Sequence, residues 1–282
     1  MKRIYVSLIC LVISGLAFAQ TSGKIKLANG QKIIIESTID MQATLTMGME
    51  LTSNSTTLNE LEVKNSNAKN SIISNTLTKL KMTSNMMGQA TNYDSENKAG
   101  NDEQVAKIFD DKLNKPVDVT VDNSTGLAAA EKKKEKKTEV ETEEANPMAD
   151  MMKIFSDNGS DDAVVSGAFE MMAKGKSVGD SWADTATDKD MKTIRRYTLK
   201  SILANEAIIQ SNIILNAVNK LDFQGMEFTI KTETKTNGEI VTDISTGLVK
   251  KRTSVADITG SIPMMGQDMP ISAKVTTTSI YR

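Results

Sequence analysis

Sixteen residues from Lys32 to Met47, "KIIIESTIDMQATLTM", constrain this chain more than any other stretch. Ile33, Ile35, Ile39, Met41, Ala43, Leu45 and Met47 are apolar, while Glu36, Thr38, Asp40, Gln42, Thr44 and Thr46 are polar. A period of two puts each set on its own side of an extended backbone and predicts a strand with one dry and one wet face. The β-branched isoleucines suit that geometry. A strand this long with one apolar side cannot stand alone. Either helices cover it or the sheet curls on itself.

Weaker alternation marks strands around Glu60–Lys64, Ser71–Asn85, Pro116–Asp122, Ile194–Leu203, Glu206–Ala217, Glu227–Thr236, Glu239–Ser245, Leu248–Ile262 and Ile271–Ile280. In the first strand the apolar parity runs on past Gly48 to Met49 and Leu51. A two-residue hairpin reverses parity and a longer one keeps it, so "MGM" reads as a turn with Gly48 left-handed. Asn237-Gly238 predicts a tight hairpin between its two flanking strands. "MMGQ" at Met86–Gln89 and Met264–Gln267 reads as another corner, and "VDNSTGL" at Val121–Leu127 returns as "TDISTGL" at Thr242–Leu248. The order of these repeats argues for shared turn devices rather than a tandem duplication.

Two regions interrupt the β pattern. Ala128–Asn146 holds five lysines and six glutamates with almost nothing to bury, and reads as a solvated helix or disordered linker. Asn146 and Pro147 then open a Met-rich helix. Ser160 is placed to cap a second helix, with two acids in its first turn and Gly175 past its end. A third helix is expected at Asp102–Asp111. The chain therefore divides into residues 20–127, a β-rich half; 128–146, the linker; 147–175, a helical insert; and 176–282, a second β-rich half.

Residues 1–19 pair a basic start, Lys2 and Arg3, with an apolar run over Ile4–Leu16 and end in Ala17-Phe18-Ala19. This is the pattern of a cleaved signal peptide, and it predicts export to the periplasm, the cell surface or the medium. Ile9 before Cys10 does not suit lipidation. Cleavage would remove the single cysteine, and the chain has no histidine. The usual zinc sites, haem ligation by His and Cys–His or Ser–His chemistry are thereby excluded. Loss of Lys2 and Arg3 takes the formal charge from −2 to −4. That balance gives no footprint for nucleic acid, and aromatics at 4% leave little for base or sugar stacking. No apolar run after the signal is long enough to span a bilayer as a helix.

Methionines cluster at Met47/Met49, Met86/Met87 and Met264/Met265/Met269. Exported thioethers suit Cu(I), but flexible Met also fills gaps beside hairpin glycines, and that packing reading takes precedence over a metal site or a greasy contact patch. Asp161-Asp162 and "TDKD" at Thr187–Asp190 lack the spacing of a calcium loop. No catalytic residue, metal site or cofactor is assigned.

"LANGQKIIIE", "TMGME" and "LKMTSNMMGQATNYDSE", followed by "VGDSW", "YTLKSI" and "DISTGLVKK", resemble an uncharacterised family of secreted bacterial proteins, domain of unknown function 6263. The resemblance implies an exported, β-rich protein and carries no catalytic residues with it. In "VGDSW", Gly179 and Asp180 turn the chain and deliver Trp182 to an apolar surface, as a core anchor or facing a ligand.

The expected fold is mainly β (α+β), a curved antiparallel sheet or partial barrel in two β-rich halves. Three function classes stay open: a non-catalytic module binding a lipid or other apolar ligand, a structural or surface-interaction protein that meets a protein partner through its sheet edges and Thr-rich faces, and a carboxylate-based hydrolase. For the first, the ligand face is expected to include Ile33, Ile35, Met41 and Trp182.

Overall fold

The computed structural model describes residues 24–44, 48–129, 160–173, 175–188, 190–223, 226–264 and 267–282. The expected signal peptide, the expected Met-rich helix and nearly all of the expected charged linker lie outside these residues. The strands are β1 (Lys32–Thr44), β2 (Glu50–Ser66), β3 (Asn70–Met86), β4 (Gln89–Asp94), β5 (Val117–Asp122), β6 (Ala128–Ala129), β7 (Ser181–Asp188), β8 (Met191–Leu203), β9 (Glu206–Phe223), β10 (Met226–Asp243), β11 (Val249–Met264) and β12 (Gln267–Tyr281). Among the described residues two helices, α1 (Glu103–Asp110) and α2 (Asp161–Gly167), accompany them.

All twelve strands join one antiparallel sheet in the order β6-β5-β3-β2-β1-β12-β11-β10-β9-β8-β7, with β4 also paired to β3. The sheet is open, since β6 and β7 end the path and do not meet. The two β-rich halves contribute to this one sheet and join where β1 pairs with β12, from Ile35 opposite Tyr281 to Thr44 opposite Ser272. Strands of up to 18 residues are long for a globular protein, and at ~3.3 Å per residue β9 and β10 reach about 60 Å.

Directly opposed residues in an antiparallel ladder share a face. Along β1, Ile33, Ile35, Ile39, Met41 and Ala43 therefore mark the inner side of the sheet. At one end of that side the core is filled. Leu61, Val63, Ile73, Val119 and Val121 pack with Ile33 and Ile35 under Val165 of α2 and Phe169 just beyond it. Leu199, Ile209, Ile240 and Val249 form a second cluster with Met172. Tyr281 touches both clusters and joins them. α1 covers Leu80, Met82 and Tyr93 through Val105 and Phe109. Its N-cap Asp102 accepts hydrogen bonds from the backbone N–H groups of Gln104 and Val105.

The chain crosses the sheet at this filled end. α2 packs on β3, β5 and β6. Phe169 then bridges Leu248, Glu170 N–H donates to Gly247 O at 2.9 Å, and Val249 N–H donates to Ala168 O at 2.9 Å. After a turn at Gly179 the chain enters β7, on the opposite edge.

Several expectations change. Asn237-Gly238 is no hairpin; it lies inside the continuous β10, with Asn237 opposite Asn212 and Gly238 opposite Ser211. Glycine is required there by crowding, because a Cβ would sit 2.6 Å from Thr253 O. Strands β4, β6 and β7 carry no clear alternation and add to those expected. Ser160 occupies the cap position of α2 but makes no side-chain cap hydrogen bond.

Candidate functional site: the uncovered part of the inner face

Above the filled end, the register arranges the inner face in rows. The first runs Trp182–Tyr197–Ser211–Gly238–Ser254–Thr277–Ile39. The next runs Arg195–Ile213–Thr236–Ala256–Val275–Met41, and the third Thr193–Leu215–Thr234–Ile258–Ala273–Ala43–Leu51. Aliphatic and threonine methyl groups dominate the second and third rows. Ile213, Leu215, Ala256, Ile258, Val275 and Met41 are half-buried. Among the described residues, both helices pack on β3 to β6 and leave this part of the face without a covering element.

A charged pair stands at the border with the core. Arg252, between Ile240 and Ser279 in the ladder, points inward. Its Nη2 donates to Glu170 Oε2 at 3.2 Å and to Gly167 O at 3.4 Å. Its Nε is buried without a partner, an arrangement that costs about 1–3 kcal/mol or more for a charged donor. Burial pushes the Glu170 carboxyl above its ordinary range, although Arg252 and, farther off, Arg195 act against that shift. Burial likewise raises the phenols of Tyr197 and Tyr281. Arg195, on the same face, pairs with Asp184 at 3.1 Å. A charged residue at an inward position of an alternating strand is a signal legible in "VKKRTSVADI"; its partner Glu170 lies 82 residues away and has no such mark.

The four expected ligand-facing residues share this side of the sheet but not this environment. Ile33 and Ile35 are 5% and 2% exposed, sealed in the core. Met41 lies on the uncovered part. Trp182 stacks on Tyr197 with ring centroids 5.5 Å apart, on edge strand β7. Of the methionine corners, Met49 and Met86 pack with the strand residue Met41 around Ala43 and Leu51, whereas Met87 is 71% exposed. Met87 and Gly88, both with positive φ, make the two-residue β3–β4 turn. Among the described residues no three His, Cys, Asp or Glu side chains group as metal ligands, and no helix is long and apolar enough to cross a membrane.

Two hollows lie toward the far end of the strands. One of about 750 Å³ includes Met191, Ala217, Thr232 and Gly260 with Lys192 and Glu233. Another of about 440 Å³ includes Ala43 and Leu51 with Glu50, Asp257 and Lys274. Both are open and partly polar, so neither is an enclosed lipid cavity.

The architecture is that of a single open antiparallel sheet with its core at one end. The chain belongs to the family of unknown function DUF6263, whose profile matches residues 68–249, from β3 to the start of β11. No curated protein sequence matches it. Among solved structures, one reported for lipid–protein interactions in lipovitellin is similar over 91% of this chain, with a TM-score of 0.50 and 10% identity. This chain spans 25% of that one, and the likeness is one of fold. OccK5 (OpdH) and OpdQ of Pseudomonas aeruginosa align at 6% and 5% identity, over 91% of this chain and 99% of theirs. Their TM-scores of 0.25 and 0.18 carry no argument.

Proposed function

We propose that this is an exported, non-catalytic protein that binds an apolar ligand such as a lipid on the inner face of its sheet. The observation that carries the reading is the uncovered patch formed by Ile213, Leu215, Ile258, Val275 and Met41 on four strands, bridged across β10 by the methyl groups of Thr234 and Thr236. An apolar surface of this kind on a protein in water marks a place where something else binds. The fold likeness to lipovitellin, a protein described with its lipids, supports the same reading. The bound state would be a face covered by ligand rather than a ligand enclosed.

The test is native mass spectrometry of protein purified from its own host, followed by organic extraction, on wild type and on Ile258→Glu. A reproducible apolar adduct in wild type that is lost in the variant is the expected result. A clean mass for both, together with no uptake of added lipid, would overturn it. A second reading, in which a protein partner covers this face, draws on the openness of the two hollows described above. It would show instead as a co-purifying protein that Ile258→Glu releases.

A further inference from the structure

The apolar strip begins at a cation whose counter-ion is poorly suited to it. A guanidinium offers five donors and stays charged at any physiological pH. Arg252 directs Nη2 to Glu170 and Gly167 O, stands within hydrogen-bonding reach of the Tyr281 phenol, leaves Nε without a partner, and keeps a quarter of its side chain exposed. Glu170 is pressed toward its neutral form by burial. The other titratable or charged groups around the pair are Tyr281, Tyr197, Arg195 and Asp184.

The middle of the row next to Arg252, flanked by Tyr197 and Ile39, is made of small side chains: Ser211, Gly238, Ser254 and Thr277. They add little bulk beside the guanidinium. Beyond them the β11–β12 strip is apolar, through Ala256, Ile258 and Gly260 on one strand and Val275, Ala273 and Ile271 on the other. From Ser254 to Gly260 is six residues, or about 20 Å of strand. One acyl chain spans half of a bilayer core of about 30 Å, so about 15 Å. The strip is long enough for one chain laid along it.

We propose that Arg252 anchors the carboxylate of a long-chain fatty acid whose acyl chain lies along the β11–β12 strip. The inference rests on the reading of the inner face given above and adds the class of ligand. Guanidinium and carboxylate match as a planar, charge-assisted pair, and the exposed quarter of the Arg252 side chain is where a ligand carboxylate would meet it, a contact a neutral lipid makes less well. Glu170 is the internal competitor that the ligand's carboxylate relieves.

The experiment is equilibrium dialysis of labelled oleate and methyl oleate, both below their aggregation limits, against the mature protein. Wild type binds oleate about tenfold or more tightly than the ester, the scale of a hydrogen bond to a charged group. Arg252→Met brings oleate down to the affinity of the ester and leaves the ester unchanged. Glu170→Gln tightens oleate alone. Arg196→Gln, which removes an exposed charge from the other face, changes neither. Equal affinity for the two ligands in wild type, or an oleate preference that survives Arg252→Met, overturns the anchor while leaving the apolar face standing. Failure of both ligands to bind wild type overturns the face reading as well. Should circular dichroism show Arg252→Met unfolded, Glu170→Gln decides: an unchanged oleate affinity counts against the anchor.

Discussion

Replacing Gly238 by alanine tests why that glycine is there. A glycine inside a strand ordinarily costs about 0.5–1 kcal/mol relative to alanine, so a freely accommodated methyl group would stabilise the protein. Here the added Cβ meets Thr253 O at 2.6 Å, Ser211 Oγ at 3.1 Å and Ser254 Cβ at 3.2 Å. Ser211 can rotate away, but Thr253 O is backbone in the β10–β11 ladder and can move only if the strands separate. Overpacking of this kind costs about 1–3 kcal/mol, which exceeds the propensity gain. The net loss is then about 1–2 kcal/mol, or roughly 2–8 °C in melting temperature for a chain of this size. Thermal melts followed by circular dichroism, with urea midpoints alongside, measure it. Gly260, whose Cβ would lie 2.6 Å from Lys231 O, should respond the same way. A Gly238→Ala protein that melts at or above wild type would refute the crowding argument and return the residue to a matter of propensity.

Three further outcomes follow from the packing. Leu61 is fully buried beside Ile33 and Val63, so Leu61→Ala should lower stability by about 2–5 kcal/mol in chemical denaturation. Asp102→Ala removes the side-chain cap of α1 and should cost about 1 kcal/mol by the same measurement, with the sheet intact. Tyr93, Tyr197 and Tyr281 are all raised chiefly by burial, Tyr93 also by its hydrogen bond to Asp110. The unfolded chain releases these phenolic protons near pH 10 while the folded chain holds them. Stability should therefore be complete below that pH and fall above it, by about 1.4 kcal/mol per pH unit for each tyrosine. Ultraviolet titration of tyrosinate checks this, and normal ionisation of all three in the folded protein would contradict it.

What could be read in advance follows from how local each signal is. The strand at Ile33–Ala43 is legible because one side is dry for most of its length, and period two records that. β7, "SWADTATD", is an edge strand exposed along nearly all of its length, so burial imposes no pattern on it. Asn237-Gly238 misleads because a turn preference among neighbours yields to pairing with Ser211 and Ser254 on two other strands. The repeated "STGL" segments are turn devices, as their form suggests. Asp122 and Asp243 accept from the N–H of Ser124 and Ser245, and Gly126 and Gly247 each return a hydrogen bond to the same aspartate's carbonyl at 2.8 Å. Their shared role is visible only in three dimensions: Gly126 lies against Phe169 and Gly247 against Met171, so each turn seats part of the segment that crosses the sheet. The apolar side of the sheet was legible; that Ile33 and Ile35 lie under α2 while Met41 does not depends on where that crossing runs.

The seam between β1 and β12 sets an order of events during synthesis. β1 can gain β2 as soon as the first hairpin exists, but its other edge has no partner until β12 is made, more than 200 residues later. At about 5–20 residues per second that interval is roughly 10–50 s. For that time an alternating, β-branched strand edge is open to any other extended chain, which is the condition under which sheets aggregate. A sheet that joins β1 to β12 can close that seam only after β12 has been made, and the protein's yield in a cell should depend on how well that one edge is shielded meanwhile.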